Sequence, residues 1–239
     1  MALGDRERRN VLIRECAGGH ERIGAEAATL TALAAERGLK LQVGHVERFN
    51  PALVAARQSL TTVSFIECHR LAPFKGRGAD VNVILDLMIH DLDVILSLVN
   101  AEPTAVSAVG ITVLTDEVDI ANARIEFANG AIANVTASRV STSSQRRFRV
   151  FQPNQYVSID FGSGEVRRIT KNGEWREGAT PLQEETWNLE KGDALLAETK
   201  AFVTAIVEDR PCEVSGADGF AALKLAETIG AEIARRREL

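Results

Sequence analysis

The chain has 239 residues, 45% of them hydrophobic, which is enough apolar material for one large domain or two small ones with a sizeable core. Lys+Arg 28 against Asp+Glu 33 gives a net charge of −5, the opposite of the basic excess that marks nucleic-acid binders. The three cysteines, Cys16, Cys68 and Cys212, are scattered and show no CxxC spacing, which excludes a disulfide framework or zinc knuckle and fits a reducing cytoplasm.

Residues 1–24 read as an atypical N-terminal segment. Their start, MALGDRERRN, is charged and lacks the apolar core of a signal peptide. Val11-Leu12-Ile13 reads as the end of a buried strand. A helix is predicted from Ala25 to Arg37, with Ala27, Leu30 and Ala34 on one face and Gly38 as its stop. A strand follows from Leu39 to Val46, with Leu39, Leu41, Val43 and His45 on one face. Asn50-Pro51 then reads as an N-cap and first helical residue, opening a helix to about Gln58. Residues 25–50 thus form a helix–strand pair and residues 51–239 a second unit.

Thr61 to His69 alternates as a strand, with Val63, Phe65, Glu67 and His69 facing one way. Arg70 to Asp80, with Pro73, Gly76 and Gly78, is a loop. A nearly all-apolar helix spans Val83 to Val99. Asp86, His90, Asp91 and Asp93 interrupt the apolar run and exclude a membrane span. From Thr104 to Trp175 short alternating strands are punctuated by Asn129-Gly130, Pro153-Asn154, Gly162-Ser163-Gly164 and Asn172-Gly173. Asp193 caps a helix to Asp209 that carries Leu196, Thr199, Phe202, Val203 and Ile206 on one face. Ser215 and Asp218 form a capping box for a last helix. Its closing Arg235-Arg236-Arg237 complements the helix dipole. The sum is an α+β fold: an open, mainly antiparallel sheet with helices on one face, preceded by a helix–strand pair.

Dinucleotide binding needs a tight glycine turn between a strand and a helix, and no GxGxxG is present. The chemistry gathers elsewhere. Asp86 and His90 are four apart and share a helix face, with Asp93 nearby. A carboxylate there can orient an imidazole and stabilise its cation, as suits a general base for alcohol oxidation. The bland alternative is a buried polar pair. His45, Glu47 and Arg48 cluster at a strand end, where α/β proteins bind ligands, unless Glu47 and Arg48 are only a solvated ion pair. His69 and Arg70 stand at another strand end. Arg70 offers a fork for a phosphate or sugar hydroxyl, and Lys75 and Arg77 lie on a loop that can close over a diphosphate, although lone loop cations are usually just solvated. His45, Glu47, His69, Asp86 and His90 lack metal-ligand spacing, so no metal is expected.

The segments LQVGHVERFNPA (Leu41 to Ala52), HRLAPFKGRGADV (His69 to Val81), LDLMIHDLDVIL (Leu85 to Leu96), NGAIANVTASRVS (Asn129 to Ser141) and EVSGADGFAALKLA (Glu213 to Ala226) resemble, in order, those of the Gfo/Idh/MocA oxidoreductases. The subgroup that looks most similar acts on UDP-N-acetylglucosamine or related nucleotide sugars. The resemblance covers residues 25–239. It implies an N-terminal Rossmann domain followed by an open-sheet substrate and oligomerisation domain. It also implies NAD or NADP as cofactor, a sugar or nucleotide-sugar substrate, and a homodimer or homotetramer.

By the same resemblance, Asp86 and His90 are catalytic; from their positions at strand ends, on the loop and on the helix face, His45, Arg48, His69, Arg70, Lys75 and Asp93 are expected to line the substrate. The family's Glu-Lys-Pro is replaced here by Glu15-Cys16-Ala17, so the lysine is missing along with the glycine turn. The expectation is an incomplete, singly inactive dehydrogenase that needs a separate nucleotide-binding chain. The alternative is a non-catalytic module for sugar-nucleotide binding or oligomerisation.

Overall fold

The computed structural model describes residues 10–13, 23–76, 78–179 and 181–237. Glu15-Cys16-Ala17 and Arg77 lie outside the described residues. Strand β1 (Asn10–Ile13), helix α1 (Ile23–Glu36) and strand β2 (Lys40–Val43) form a first unit. Its two strands are parallel and paired residue for residue, from Asn10 opposite Lys40 to Ile13 opposite Val43. Gly38 ends α1 at φ +60, where a Cβ would be strained.

The expected strand to Val46 stops at Val43, and a 3-10 turn, Val46–Phe49, takes over. Asn50 caps helix α2 (Pro51–Arg57) by accepting the Ala52 N–H. Strand β3 (Phe65–Leu71) runs two residues into the expected loop. The Asn82 side chain then accepts the N–H groups of Ile84 and Leu85. This opens a π-helical turn, Ile84–Met88, that continues as α3 (Ile89–Val99). Seven strands follow: β4 (Pro103–Ile111), β5 (Ile120–Phe127), β6 (Ile132–Ser138), β7 (Gln145–Gln152), β8 (Gln155–Asp160), β9 (Glu165–Lys171) and β10 (Leu182–Asn188). Helices α4 (Ala194–Val207) and α5 (Gly216–Arg237) close the chain. Asp193 caps α4, and Ser215 and Asp218 exchange the hydrogen bonds of a capping box before α5.

Strands β3 to β10 form one eight-stranded sheet in the order β10-β9-β8-β7-β3-β6-β5-β4. The β3–β6 pair is parallel and every other pair antiparallel. One face carries the core. Ile66, Cys68, Ala123, Ile125, Val135, Ala137, Phe148, Val150, Val157 and Ile159 are all buried there, covered by α2, α3 and α5. Among the described residues, no helix covers the other face. A row of directly opposed side chains crosses it: Ile132, Phe65, Phe151, Tyr156 and Ile169. The Phe65–Phe151 and Phe151–Tyr156 ring centroids are 5.5 and 4.9 Å apart. Two residues along each strand the row becomes polar: Asn134, Glu67, Arg149, Ser158 and Arg167.

The predicted face of β2 holds but is not its most buried one, and the predicted face of α4 needs correction. On β2 the fully buried residue is Gln42, whose amide donates to the Glu198 carbonyl of α4. Leu41 and Val43 instead pack on α5, where Gly216 and Gly219 admit them. On α4 the buried residues are Glu198, Phe202 and Ala205, while Leu196 and Val203 are about half exposed at 48% and 51%. Alternation places apolar residues, yet it cannot reveal that β2 is covered on both sides and therefore buries a polar residue with a backbone partner.

A methyl group on Gly219 would meet Val43 at 2.5 Å, whereas one on Gly230 meets nothing within 4 Å. Gly219→Ala is therefore expected to destabilise by about 1–3 kcal/mol, and Gly230→Ala to stabilise by about 0.4–1 kcal/mol. Urea unfolding at unchanged m-value measures both.

Candidate active site

Two buried arginines organise the region around α3. Arg70, at the end of β3, is 5% exposed. Its Nε and Nη2 donate to the two oxygens of Asp91, each at 2.8 Å, and its Nη1 donates to Glu47 Oε1 at 2.9 Å. Arg48, in the 3-10 turn, donates through Nε and Nη2 to both oxygens of Asp93 at 2.7 and 2.9 Å. Asp91 and Asp93 are two residues apart on α3 and so face different ways, and each takes a different arginine. A carboxylate in an apolar helix is tolerable only when paired in this way. Glu47 also accepts from Asn50 Nδ2 at 3.1 Å, which ties the α2 cap to the same network.

His90 and His45 meet edge to face within this frame, their ring centroids 5.9 Å apart. His45 is buried, and its Nε2 has no hydrogen-bond partner among the described residues. His90 is partly exposed. Burial, and then the charges of Arg70 and His45, push the His90 pKa down to about 4, against a smaller opposing pull from Glu47. Burial, and secondarily Arg48, likewise lower His45, with Asp93 opposing. Both rings are therefore neutral at neutral pH. The expectation that a neighbouring carboxylate stabilises the His90 cation is corrected, because the charges that weigh most on this ring favour its neutral form.

Asp86, in the π turn, aims at the loop after β3. Its Oδ2 is 3.3 Å from where a Gly78 Cβ would stand. It lines a cleft of about 190 Å³ with Arg70, Phe74, Lys75, Arg139 and Arg146. Arg70 and Arg146 are shared ground, for they line this cleft and also act on His90. Arg139 anchors the loop. It donates to the carbonyls of Gly78 and Val81 and to Asp119, which is fully buried. Burial raises the Asp119 pKa, but the N–H groups of Thr115, Leu114 and Val113, with Arg139, outweigh it and hold the carboxyl well below the usual range.

Of the expected site residues, the structure gathers His45, Arg48, Arg70, Asp93 and His90 into one network, and Asp86 and Lys75 into the adjoining cleft. The roles change. Arg48 and Arg70 do not offer open forks, because their donors are spent on Asp93, Asp91 and Glu47. Nor do Glu47 and Arg48 pair with each other. His69 lies apart: Arg70 reaches α3, so strand alternation turns His69 to the uncovered face, between Thr136 and Arg147. Sequence reasoning passed over Asp91, Arg146 and the Arg139–Asp119 pair. Only Asp91 left a trace, as an acid within an apolar helical run.

Comparison with known proteins follows the same lines. A family model described as the GFO/IDH/MocA C-terminal domain matches residues 63–154. A UDP-N-acetylglucosamine 3-dehydrogenase of Acidithiobacillus ferrooxidans is 41% identical over 195 residues, which are 81% of this chain and 62% of that protein. A solved structure of the enzyme of that name from the same organism superposes with TM-score 0.85 at 38% identity, covering 93% of this chain and 70% of that one. A levoglucosan dehydrogenase solved with NADH shares the fold, with TM-score 0.81 at 18% identity over 95% of this chain and 72% of that one. The chain thus spans about two thirds of the length of these relatives.

Two outcomes are expected. The folded protein holds fewer protons on His90 than the unfolded chain between about pH 6.5 and 4, so this residue's contribution makes stability fall as pH drops through that window. Imidazole NMR should then report a neutral His90 at pH 6; a midpoint at or above 6.5 would contradict the environment described. Asp91→Ala leaves the Arg70 guanidinium buried without its main partner and should cost about 3–5 kcal/mol in denaturant unfolding.

Proposed function

The chain belongs to the Gfo/Idh/MocA oxidoreductase family, and on that premise we propose that it supplies the substrate-binding, proton-accepting side of an NAD(P)-dependent dehydrogenase acting on a sugar or nucleotide sugar. The observation that carries this reading is the partly exposed imidazole of His90 on α3, edge-on to His45 and within the electrostatic reach of Arg70 and Arg146, two residues of the cleft wall. A neutral imidazole can take the proton of a substrate hydroxyl as that carbon is oxidised. His45 fixes the ring edge-on, Asp86 marks the loop side of the cleft, and the Asp93–Arg48 pair holds the turn that carries His45.

The cofactor's diphosphate does not fit residues of this chain. The GxGxxG spacing that cradles such a group does not occur in the sequence. We therefore assign residues 25–50 as the last helix–strand pair of a nucleotide-binding unit and residues 51–239 as the substrate domain. The parallel β1–β2 pair supports this division, because such pairs belong to α/β units. Cys16 in place of the family lysine favours a second reading, a sugar-nucleotide-binding module without catalysis.

The uncovered sheet face, with its row from Ile132 to Ile169, supports self-association into a dimer or tetramer. Cys68 and Cys212, both free thiols, suit a reducing cytoplasm. Among the described residues no helix is long and apolar enough to cross a membrane.

Isothermal titration of the chain is expected to show binding of UDP-N-acetylglucosamine or of a free sugar, and none of NADH or NADPH at micromolar concentration. Micromolar cofactor binding would overturn the division of labour. Reduction of NAD in the presence of UDP-N-acetylglucosamine would exclude the non-catalytic reading. Phe151→Asp should shift sedimentation towards the monomer; an unchanged coefficient from an associating wild type would move the interface elsewhere.

A further inference from the structure

We infer that Lys75 and Arg146 form an anion subsite in the cleft beside α3, and that it reads the diphosphate of a nucleotide-linked sugar. This rests on the reading of the chain as a substrate-binding side, and it moves the phosphate contact away from Arg70. Four cationic side chains line the cleft, and they divide into two kinds. Arg70 and Arg139 are walls. Both are buried, with donors committed to carboxylates, a hydroxyl and backbone carbonyls. Lys75 and Arg146 are free to receive a ligand. Lys75 is exposed, and no carboxylate among the described residues pairs with it. The Arg146 side chain is 54% exposed, and its one described carboxylate contact is to Glu47 at 3.6 Å. That same Glu47 oxygen already accepts Arg70 at 2.9 Å.

The strand register sharpens the point. Arg146 is the residue directly opposite Arg70 across the β3–β7 pair. Like charges in that relation repel. Asp91 and Glu47 compensate Arg70, and little is left for Arg146. The Asp86 carboxylate, the acid that lines this cleft, is itself partnered. An anionic ligand would supply the counter-charge that the fold withholds, and phosphate oxygens are the acceptors that guanidinium and ammonium groups bind best. Phe74, 40% exposed on the same wall, adds an apolar face on which a ring can lie. The cleft holds about 190 Å³, room for a small charged group together with part of a sugar.

The test titrates the full chain, and its Lys75→Ala, Arg146→Ala and double variants, with UDP-N-acetylglucosamine, UDP, inorganic pyrophosphate, N-acetylglucosamine and NADH. Each single variant is expected to weaken UDP and UDP-N-acetylglucosamine by about tenfold, and the double variant by more, while N-acetylglucosamine is unaffected. Raising the salt concentration should weaken wild-type UDP binding more than that of the double variant. Both substituted residues are exposed, so an unchanged thermal midpoint will show that the variants are folded. Equal UDP affinity in wild type and double variant would overturn the subsite. So would an effect confined to NADH, which would assign the cations to the cofactor. Binding of N-acetylglucosamine without UDP would remove the subsite and leave the sugar-dehydrogenase reading standing. Binding of none of the five would end both.

Discussion

Arg70 holds three parts of this molecule in one place. It lies at the end of the sheet's central strand, and its donors reach a carboxylate on the buried helix and another on the turn after the first α/β unit. Burial alone makes the guanidinium's charge costly. Asp91 and Glu47 more than offset that cost and hold its pKa above the ordinary value. The result is a fixed positive charge that the fold cannot lose. That charge adds to burial in keeping His90 neutral, and it accounts for the double use of Glu47 and the repulsion felt by Arg146.

Helix α3 shows how one segment can serve packing and chemistry together. Leu92, Val94 and Ile95 are fully buried, yet His90, Asp91 and Asp93 are interleaved with them. The helix can hold these polar groups because two arginines arrive from different elements with matched forks. The π turn ahead of it gives Asp86 a different neighbourhood from the one that α-helical spacing suggests, close to Gly78 rather than within the arginine network. Such turns inside helices are frequent at functional sites.

Most of the sheet was legible in the sequence because its strands alternate and its turns use Asn-Gly, Pro-Asn and Gly-Ser-Gly; the edge strand β10 (Leu182–Asn188) was not, since it lies beyond the expected strands, which end at Trp175. The caps at Asn50, Asp193 and Ser215 were legible for the same local reason. What local patterning cannot convey is which side of an element has two neighbours. Gln42 and Glu198 are buried because β2 lies between α4 and α5, a fact of tertiary packing. In the site, residue identities were readable from the spacing of Asp86, His90 and Asp93, but their pairing was not. Arg48 with Asp93 and Arg70 with Asp91 span 45 and 21 residues of sequence. His69 illustrates the limit from the other side: one step along a strand separates a residue in the network from one on the opposite face.

Strand β3 is made early in the chain, yet both of its neighbours, β6 and β7, come more than sixty residues later. The strands on its flanks are linked mostly by short connections and can assemble as two local meanders, β4 to β6 and β7 to β10. The central slot between them must then be filled by a segment that has waited, closing a long loop at an entropic cost before any ladder is gained. On this topology, insertion of that strand is the step expected to limit folding. Because Arg70 travels with it, the charge network matures only as the two halves of the sheet are joined.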